Sequence, residues 1–374
     1  MGSSATPLAK RIFLPLLLVA VASAGCSRVG GGAASAPTAA SARAQQDAPT
    51  TPARAADATA NPVTAVQNAP GAVPITLTAL VEIAPPAEAG PILQLPALSG
   101  SYGHRAGLHK VKDDLHLSAS AALVIDQDTG RVLLHRNEDA VLPIASLTKL
   151  MTALVVTEAG LPLDEVISIA DEDVDGERHS RSRLRVGTSL TRGDALQLAL
   201  MASENRAAHA LGRTFPAGLP AFVQAMNSKA RTLGMNSTTY VEPTGLSTNN
   251  QSTARDLALV VDAASRNPLL AQYTTTRQRL LPVARGRMVQ YNNSNRLVKN
   301  PRWEIALQKT GYIIEAGWCM VLDTRIAGRN LMVVLLDAGG AASRNADAER
   351  IRRVLSSPSK LVSDNAAGLR QIRG

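Results

Sequence analysis

Pro143-Ile144-Ala145-Ser146-Leu147-Thr148-Lys149-Leu150-Met151-Thr152-Ala153 places a serine and a lysine three residues apart at the start of an apolar helical run. Positions i and i+3 of a helix share a face, with β-carbons about 5–6 Å apart, so the Lys149 amine lies within reach of the Ser146 hydroxyl. A serine hydroxyl is a weak nucleophile until an adjacent base takes its proton. Taken alone, the spacing is common and fits equally a serine near a helix start beside an exposed lysine. The rest of the chain decides between the two.

Around this run the periodicity predicts a fold. Ala121-Ala122-Leu123-Val124-Ile125-Asp126 and Arg131-Val132-Leu133-Leu134-His135-Arg136 read as strands joined at Gln127-Asp128-Thr129-Gly130, a hairpin signal. Helices are expected from Ser146 toward Gly160 and over 196–211, 219–233 and 253–264. Strands are expected over 304–310, 318–325 and 330–336, then an amphipathic helix over 346–355. Strands at both ends enclosing a helical middle predict an α+β fold: an antiparallel sheet flanked by helices, with an inserted helical lobe.

Two more motifs follow the first in order: Ser203-Glu204-Asn205, inside the second helical stretch, and Lys309-Thr310-Gly311, at the end of a strand. S-x-x-K with S-D-N and K-T-G is the motif set of penicillin-binding proteins and class A β-lactamases. With these residues the chain resembles the serine DD-peptidases of bacterial cell-wall metabolism, most closely the D-alanyl-D-alanine endopeptidase, penicillin-binding protein 7-like branch. The phrases that carry the match are Ser180-Arg181-Ser182-Arg183-Leu184-Arg185-Val186-Gly187, Ser203-Glu204-Asn205-Arg206-Ala207-Ala208, Glu242-Pro243-Thr244-Gly245-Leu246 and Leu307-Gln308-Lys309-Thr310-Gly311-Tyr312. The resemblance covers roughly 115–355.

Acyl transfer needs a nucleophile, a base, an acid for the leaving amine and donors for the oxyanion. Ser146 is the expected nucleophile and Lys149 the expected base. A lysine poised near pH 7 sits about 3 units below its free value of about 10.4, which burial and a second ammonium, Lys309, can supply. Ser203 is positioned to relay a proton between the lysines and the departing amine, and the Asn205 amide to hold Lys149 and a substrate carbonyl. Gly311 has no side chain to obstruct an incoming peptide. The resemblance implies an oxyanion hole from the backbone N–H groups of Ser146 and Tyr312, and substrate carboxylate binding by Thr310 with Lys309 nearby. Glu204 departs from the aspartate of the motif and is read as solvent-facing. No glutamate stands out as a deacylating base, so rapid hydrolysis of a penicilloyl enzyme is not expected.

The resemblance further implies hydrolysis of the D-alanyl-diaminopimelate cross-link of peptidoglycan through an acyl-enzyme, with β-lactams as covalent inhibitors and no metal or cofactor. A DD-carboxypeptidase removing terminal D-alanine is the alternative within the class. A catalytically silent, tethered cell-wall-binding protein is the alternative outside it.

The N-terminal third reads differently. Lys10-Arg11 precede the apolar run 12–21, which ends in Ala22-Ser23-Ala24-Gly25-Cys26, the layout of a secretory signal over residues 1–26. Cys26 stands where a lipoprotein carries its lipid, and cleavage after Ala24 fits as well; both imply export to the periplasm, with an N-terminal lipid anchor in the first case. Residues 27–114 are rich in Ala, Pro, Thr, Ser and Gly and are expected to form a disordered tether. The catalytic domain is expected over 115–356 and a flexible tail over 357–374.

Cys319 has no partner within the domain, which excludes a disulfide-stapled scaffold. A net charge of +9 suggests an anionic partner, but with 3% aromatic residues there are few stacking platforms for nucleic acid. An anionic envelope polymer or membrane surface suits an exported basic protein better. Asp171-Glu172-Asp173-Val174-Asp175-Gly176 imitates half an EF-hand loop, but Ser182 stands where the bidentate glutamate belongs; a solvated acidic loop is expected. The absence of H-E-x-x-H removes the ligands for zinc peptidase chemistry. His179 and His209 are read as surface or satisfied core residues, and Arg277, Arg279, Arg285 and Arg287 as a solvated charged ribbon.

Overall fold

The computed structural model describes residues 100–283 and 286–357. Helix α1 (Tyr102–Arg105) and a 3-10 turn (Leu108–Lys110) come first among the described residues, so folded structure is present ahead of the expected start at Leu115. The polar groups of this segment explain the correction. The Tyr102 amide donates to Glu315 O at 2.8 Å, and the buried Arg136 guanidinium donates to the carbonyls of His109, Val111 and Leu117 at 2.7–2.8 Å. Composition did not reveal this anchoring, because the partners lie far along the chain. The signal segment with Cys26, the tether up to residue 99 and the tail beyond Ser357 lie outside the described residues.

Strands β1 (Ala121–Asp126) and β2 (Val132–Arg136) form the expected hairpin, with Gly130 at φ +70° in the turn. Short β3 (Leu142–Pro143) leads through a 3-10 turn (Ala145–Leu147) into α2 (Thr148–Glu158). Every residue of α2 from Thr148 to Val156 is buried. A helix buried on all sides belongs at the centre of a lobe, and α2 does sit among the helices that follow it over 192–265.

The lobe continues with β4 (Val166–Ser168), β5 (Ser189–Thr191), α3 (Arg192–Met201), α4 (Asn205–Arg213), α5 (Gly218–Thr232), β6 (Gln251–Ser252), α6 (Ala254–Ser265) and α7 (Pro268–Thr275). The side chains of Thr191, Thr253 and Asn267 accept the orphan amides at the starts of α3, α6 and α7. The single helix expected over 196–211 is two helices. The chain breaks at Ser203, whose φ of +58° no helix accommodates. Helix α7 and the hairpin β7 (Gln278–Val283) with β8 (Arg287–Asn292) were not anticipated.

Long strands β9 (Glu304–Ile313), β10 (Gly317–Ile326) and β11 (Arg329–Ala338) complete an antiparallel five-stranded sheet in the order β2-β1-β11-β10-β9, and α8 (Ala341–Leu355) follows. Residues from the two ends of the domain pair directly, Ala121 opposite Leu336 and Asp126 opposite Leu331. Both faces are buried. On β11, Met332, Val334 and Leu336 enter the apolar cluster under the helical lobe, while Leu331, Val333 and Leu335 enter the cluster shared with Ile351 of α8. That is the period of two expected of a strand covered on both sides. The consequence for the site is positional: the edge strand β9 packs against the 145–147 turn that opens α2.

Candidate active site

Ser146 sits in the 3-10 turn that opens α2, preceded by Ala145 at φ +48°. A non-glycine residue in that region is strained and persists only where its surroundings enforce it. Two glycines do so. Gly245, at φ +84°, lies so close that a Cβ there would fall 1.9 Å from Ala145 O and 2.8 Å from Ser146 N. A Cβ on Gly311 would meet Ala145 Cβ and Ser146 N at 3.0 Å. The expectation for Gly311 was room for substrate; the structure gives a nearer reason, since the protein's own nucleophile turn presses on the strand there.

Lys149 is wholly buried on the first turn of α2, at 0% exposure. Its Nζ is 2.9 Å from Ser146 Oγ and donates to Asn205 Oδ1 at 2.7 Å and to Thr244 O at 2.5 Å. Burial lowers its pKa to about 8, against the opposing charges of Glu242 and Glu204. At neutral pH about a tenth of such an amine is unprotonated, against under a thousandth for a free lysine. Ser146 and Lys149 can therefore act as nucleophile and base.

Across the cleft, Lys309 Nζ donates to Ser203 Oγ at 2.9 Å and to Thr310 O at 2.8 Å. Burial holds Lys309 well below the usual lysine range, and the charges of Lys149 and Arg344 add to that. The sequence reading had Lys309 depress Lys149. In the structure burial is the larger cause for both amines, and the repulsion between them adds to it. The break at Ser203 turns its hydroxyl toward Lys309, while Asn205, as the first residue of α4, reaches Lys149. Thr310 Oγ1 pairs with Ser294 Oγ at 2.8 Å, and Tyr312 stacks on Trp318 with ring centroids 4.2 Å apart.

Sequence reasoning missed several residues here. Ser180 Oγ accepts from Asn205 Nδ2 at 3.0 Å and so fixes the amide's orientation. The Glu242 carboxylate accepts the amides of Thr244 and Gly245 at 2.6 Å each and Asn250 Nδ2 at 2.8 Å, shaping the loop that delivers Thr244 O to Lys149. The phrase 242–246 had drawn notice without a role. Arg344 lines the same cleft of about 620 Å³. It is 4% exposed, donates to Cys319 O and Asn345 Oδ1, and has no carboxylate partner among the described residues. Burial lowers its pKa to about 10, so it stays cationic at neutral pH. An unneutralised buried guanidinium lining the same cleft as Thr310 suits an anionic group on the molecule that enters.

Three surface readings change. Glu204 is buried, at 7% exposure, rather than solvent-facing. Asp173 is sealed between Arg213 and His209, with contacts of 2.7–3.0 Å, and Asp175 accepts the amides of Glu177, Arg178 and Ser180. The acidic run is thus a folded brace, and His209 is satisfied by it. Among the described residues no group of three or more His, Cys, Asp or Glu is placed to hold a metal ion. Arg279 is not a solvated ribbon residue either, because it bonds Asp194 and Gln197; Arg285 lies outside the described residues.

A serine and two buried lysines brought together by a helix start, a helix break and a sheet edge define a serine-type DD-peptidase. The family model described as D-alanyl-D-alanine carboxypeptidase matches residues 108–340, and the chain belongs to that family. It is 48% identical over 260 residues to a D-alanyl-D-alanine endopeptidase of Pseudomonas aeruginosa, covering 69% of this chain and 83% of that one. It is 42% identical over 237 residues to the Escherichia coli D-alanyl-D-alanine endopeptidase, covering 63% and 76%. Among solved structures, a Listeria monocytogenes penicillin-binding protein in its cefotaxime-bound form is similar at TM-score 0.58 and 30% identity, over 66% of this chain and all of that one. A Streptomyces DD-transpeptidase is similar at TM-score 0.59 and 25% identity, over 63% and 95%. The α+β fold expected from the strand and helix pattern is the fold of these proteins.

Proposed function

We propose that this protein is an exported DD-endopeptidase that hydrolyses the D-alanyl-diaminopimelate cross-link of peptidoglycan through an acyl-enzyme at Ser146. The observation that carries the reading is the fully buried Lys149 amine at 2.9 Å from Ser146 Oγ. Ser146 Oγ attacks the D-alanyl carbonyl while its proton passes to Lys149. The backbone N–H groups of Ser146 and Tyr312 take the developing oxyanion, an arrangement typically worth about 100- to 1000-fold per donor. Collapse breaks the C–N bond, and the departing amine gains the proton that Lys149 took from Ser146, relayed through Ser203 beside Lys309, which leaves Lys149 neutral again. Water then attacks the ester, Lys149 takes its proton, and D-alanyl carboxylate leaves with Ser146 Oγ reprotonated. Lys309, Thr310 and Arg344 suit the carboxylate that flanks the scissile amide on the leaving side.

The names of the two relatives at 48% and 42% identity support the cross-link as substrate. Carboxypeptidase action is the second reading, favoured by the family description and by a Bacillus subtilis carboxypeptidase at 29% identity. The cefotaxime-bound Listeria relative supports covalent inhibition by β-lactams. The charged and apolar run ahead of Cys26 supports export to the periplasm; the mass of the mature N-terminus, with or without a diacylglyceryl group on Cys26, distinguishes an anchored from a released protein.

Purified cross-linked dimeric muropeptides and monomeric pentapeptide muropeptides separate the readings. The endopeptidase converts dimers to monomers and frees little D-alanine from the pentapeptide. D-alanine release with dimers left intact would make it a carboxypeptidase, and neither product would leave a wall-binding protein without this activity.

A further inference from the structure

Among the described residues no Asp or Glu lines the cleft of about 620 Å³ over Ser146, and two arginines do, Arg344 and Arg296. The mechanism above gives Arg344 a task and Arg296 none. Arg296 opens the 3-10 turn Arg296–Lys299; its side chain is exposed, and no hydrogen bond or ion pair holds the guanidinium among the described residues. The backbone beneath it is fixed. Along 293–297 Asn293, Asn295 and Leu297 are buried, while Ser294 and Arg296 line the cleft. Asn293 Nδ2 donates to the carbonyls of Thr274 and Thr276 at 2.8 Å, its Oδ1 accepts the Asn295 amide at 2.9 Å, and Asn295 Oδ1 accepts the Leu297 amide at 3.0 Å. Beyond the turn, Trp303 Nε1 donates to Glu349 Oε1 at 2.7 Å, which joins this wall to α8, the helix that carries Arg344.

The position of this wall follows from one bond. Ser294 Oγ pairs with Thr310 Oγ1 at 2.8 Å, so 294–296 continues the cleft outward from Thr310, on the side where the departing amine and its carboxylate lie. Lone D-alanine leaves with a single carboxylate, which Lys309, Thr310 and Arg344 suit. A stem peptide released from a cross-link carries that carboxylate and at least one more along its length. We propose that Arg296 is a specificity-determining residue that binds a second carboxylate on the leaving peptide, so that the leaving side of the cleft favours a stem peptide over D-alanine. A guanidinium stays charged at any working pH and matches a carboxylate with its planar fork. Its fixed backbone presents that charge at the cleft without a partner to be displaced.

The inference rests on the endopeptidase reading, and the test measures kcat/KM on cross-linked dimeric muropeptides beside the rate of acylation by a penicillin, which offers one carboxylate. Arg296→Gln is expected to lose about fivefold on dimers, the upper end for a solvent-exposed ion pair, and Arg296→Glu about 25-fold, since attraction becomes repulsion. Penicillin acylation should change less than about twofold in Arg296→Gln, with Tm held. Dimers amidated at every carboxylate of the leaving stem except the one beside the scissile amide supply the matching deletion. Wild type should lose the same factor of about five on them, and Arg296→Gln should lose nothing further, because both changes remove one contact. Equal losses on dimers and penicillin would mean that Arg296 shares the first carboxylate, and losses that multiply between variant and amidated dimer would mean that it acts elsewhere; either overturns the inference. A wild type that leaves dimers intact sinks the endopeptidase reading and this inference together, whereas dimer cleavage unaffected by Arg296→Glu sinks the inference alone.

Discussion

Lys149→Met is expected to lower the acylation rate of Ser146 by about 10²- to 10⁴-fold, the range over which a positioned general base acts, without unfolding the protein. Methionine is close in length to lysine and suits a site at 0% exposure, so the packing of α2 survives. What disappears is the only amine within 2.9 Å of Ser146 Oγ among the described residues, with its bonds to Asn205 and Thr244 O. The pH profile supplies a second signature. Burial lowers the Lys149 pKa to about 8, and the base is active only once its proton is gone. Wild-type acylation should therefore rise with pH and level off above about 8, whereas the residual rate of Lys149→Met should not show that rise. Stopped-flow acylation with a chromogenic cephalosporin reads both, and a methionine variant retaining half the wild-type rate would remove Lys149 from the mechanism.

Gly245→Ala is expected to cost at least about 100-fold in acylation, the scale of a 1 Å misplacement of reacting groups, and several degrees in Tm. Two effects add. Alanine at φ +84° carries roughly 1–2 kcal/mol of left-handed strain, and its Cβ would fall 1.9 Å from Ala145 O. The loop must move, which takes Thr244 O from Lys149 and disturbs the Ser146 amide. Gly328→Ala is the control for strain alone: its φ is +81°, and an added Cβ there meets nothing within 4 Å. Acylation should be unchanged in the control. Equal losses in the two variants would show that the close approach of Gly245 to the nucleophile turn is irrelevant.

These two glycines also show where sequence reasoning stops. The Ser146–Lys149 pair was legible because both residues sit on one helical turn, where spacing alone sets proximity. The long strands β9 to β11 were legible through their runs of Val, Leu, Ile and Met, although a sequence pattern does not say that both faces are covered. The helix break at Ser203 was not legible: 196–211 keeps an apolar periodicity through it, and the positive φ is imposed by tertiary structure. Ser180, Glu242 and Arg344 escaped for another reason. Ser180 lies 25 residues from the Asn205 it orients, and no local pattern measures such a distance. The anchoring of 102–111 to Glu315 and Arg136 is hidden in the same way, which is why this segment was assigned to the tether.

The most direct measurement is to trap the protein with a β-lactam, confirm one adduct by intact mass, and locate it by peptide mapping. A single adduct on the peptide carrying Ser146, absent from Ser146→Ala, is the predicted result. An adduct on Ser203, or one that persists in Ser146→Ala, would contradict the assignment of the nucleophile and with it the roles proposed for Lys149, Ser203 and Lys309.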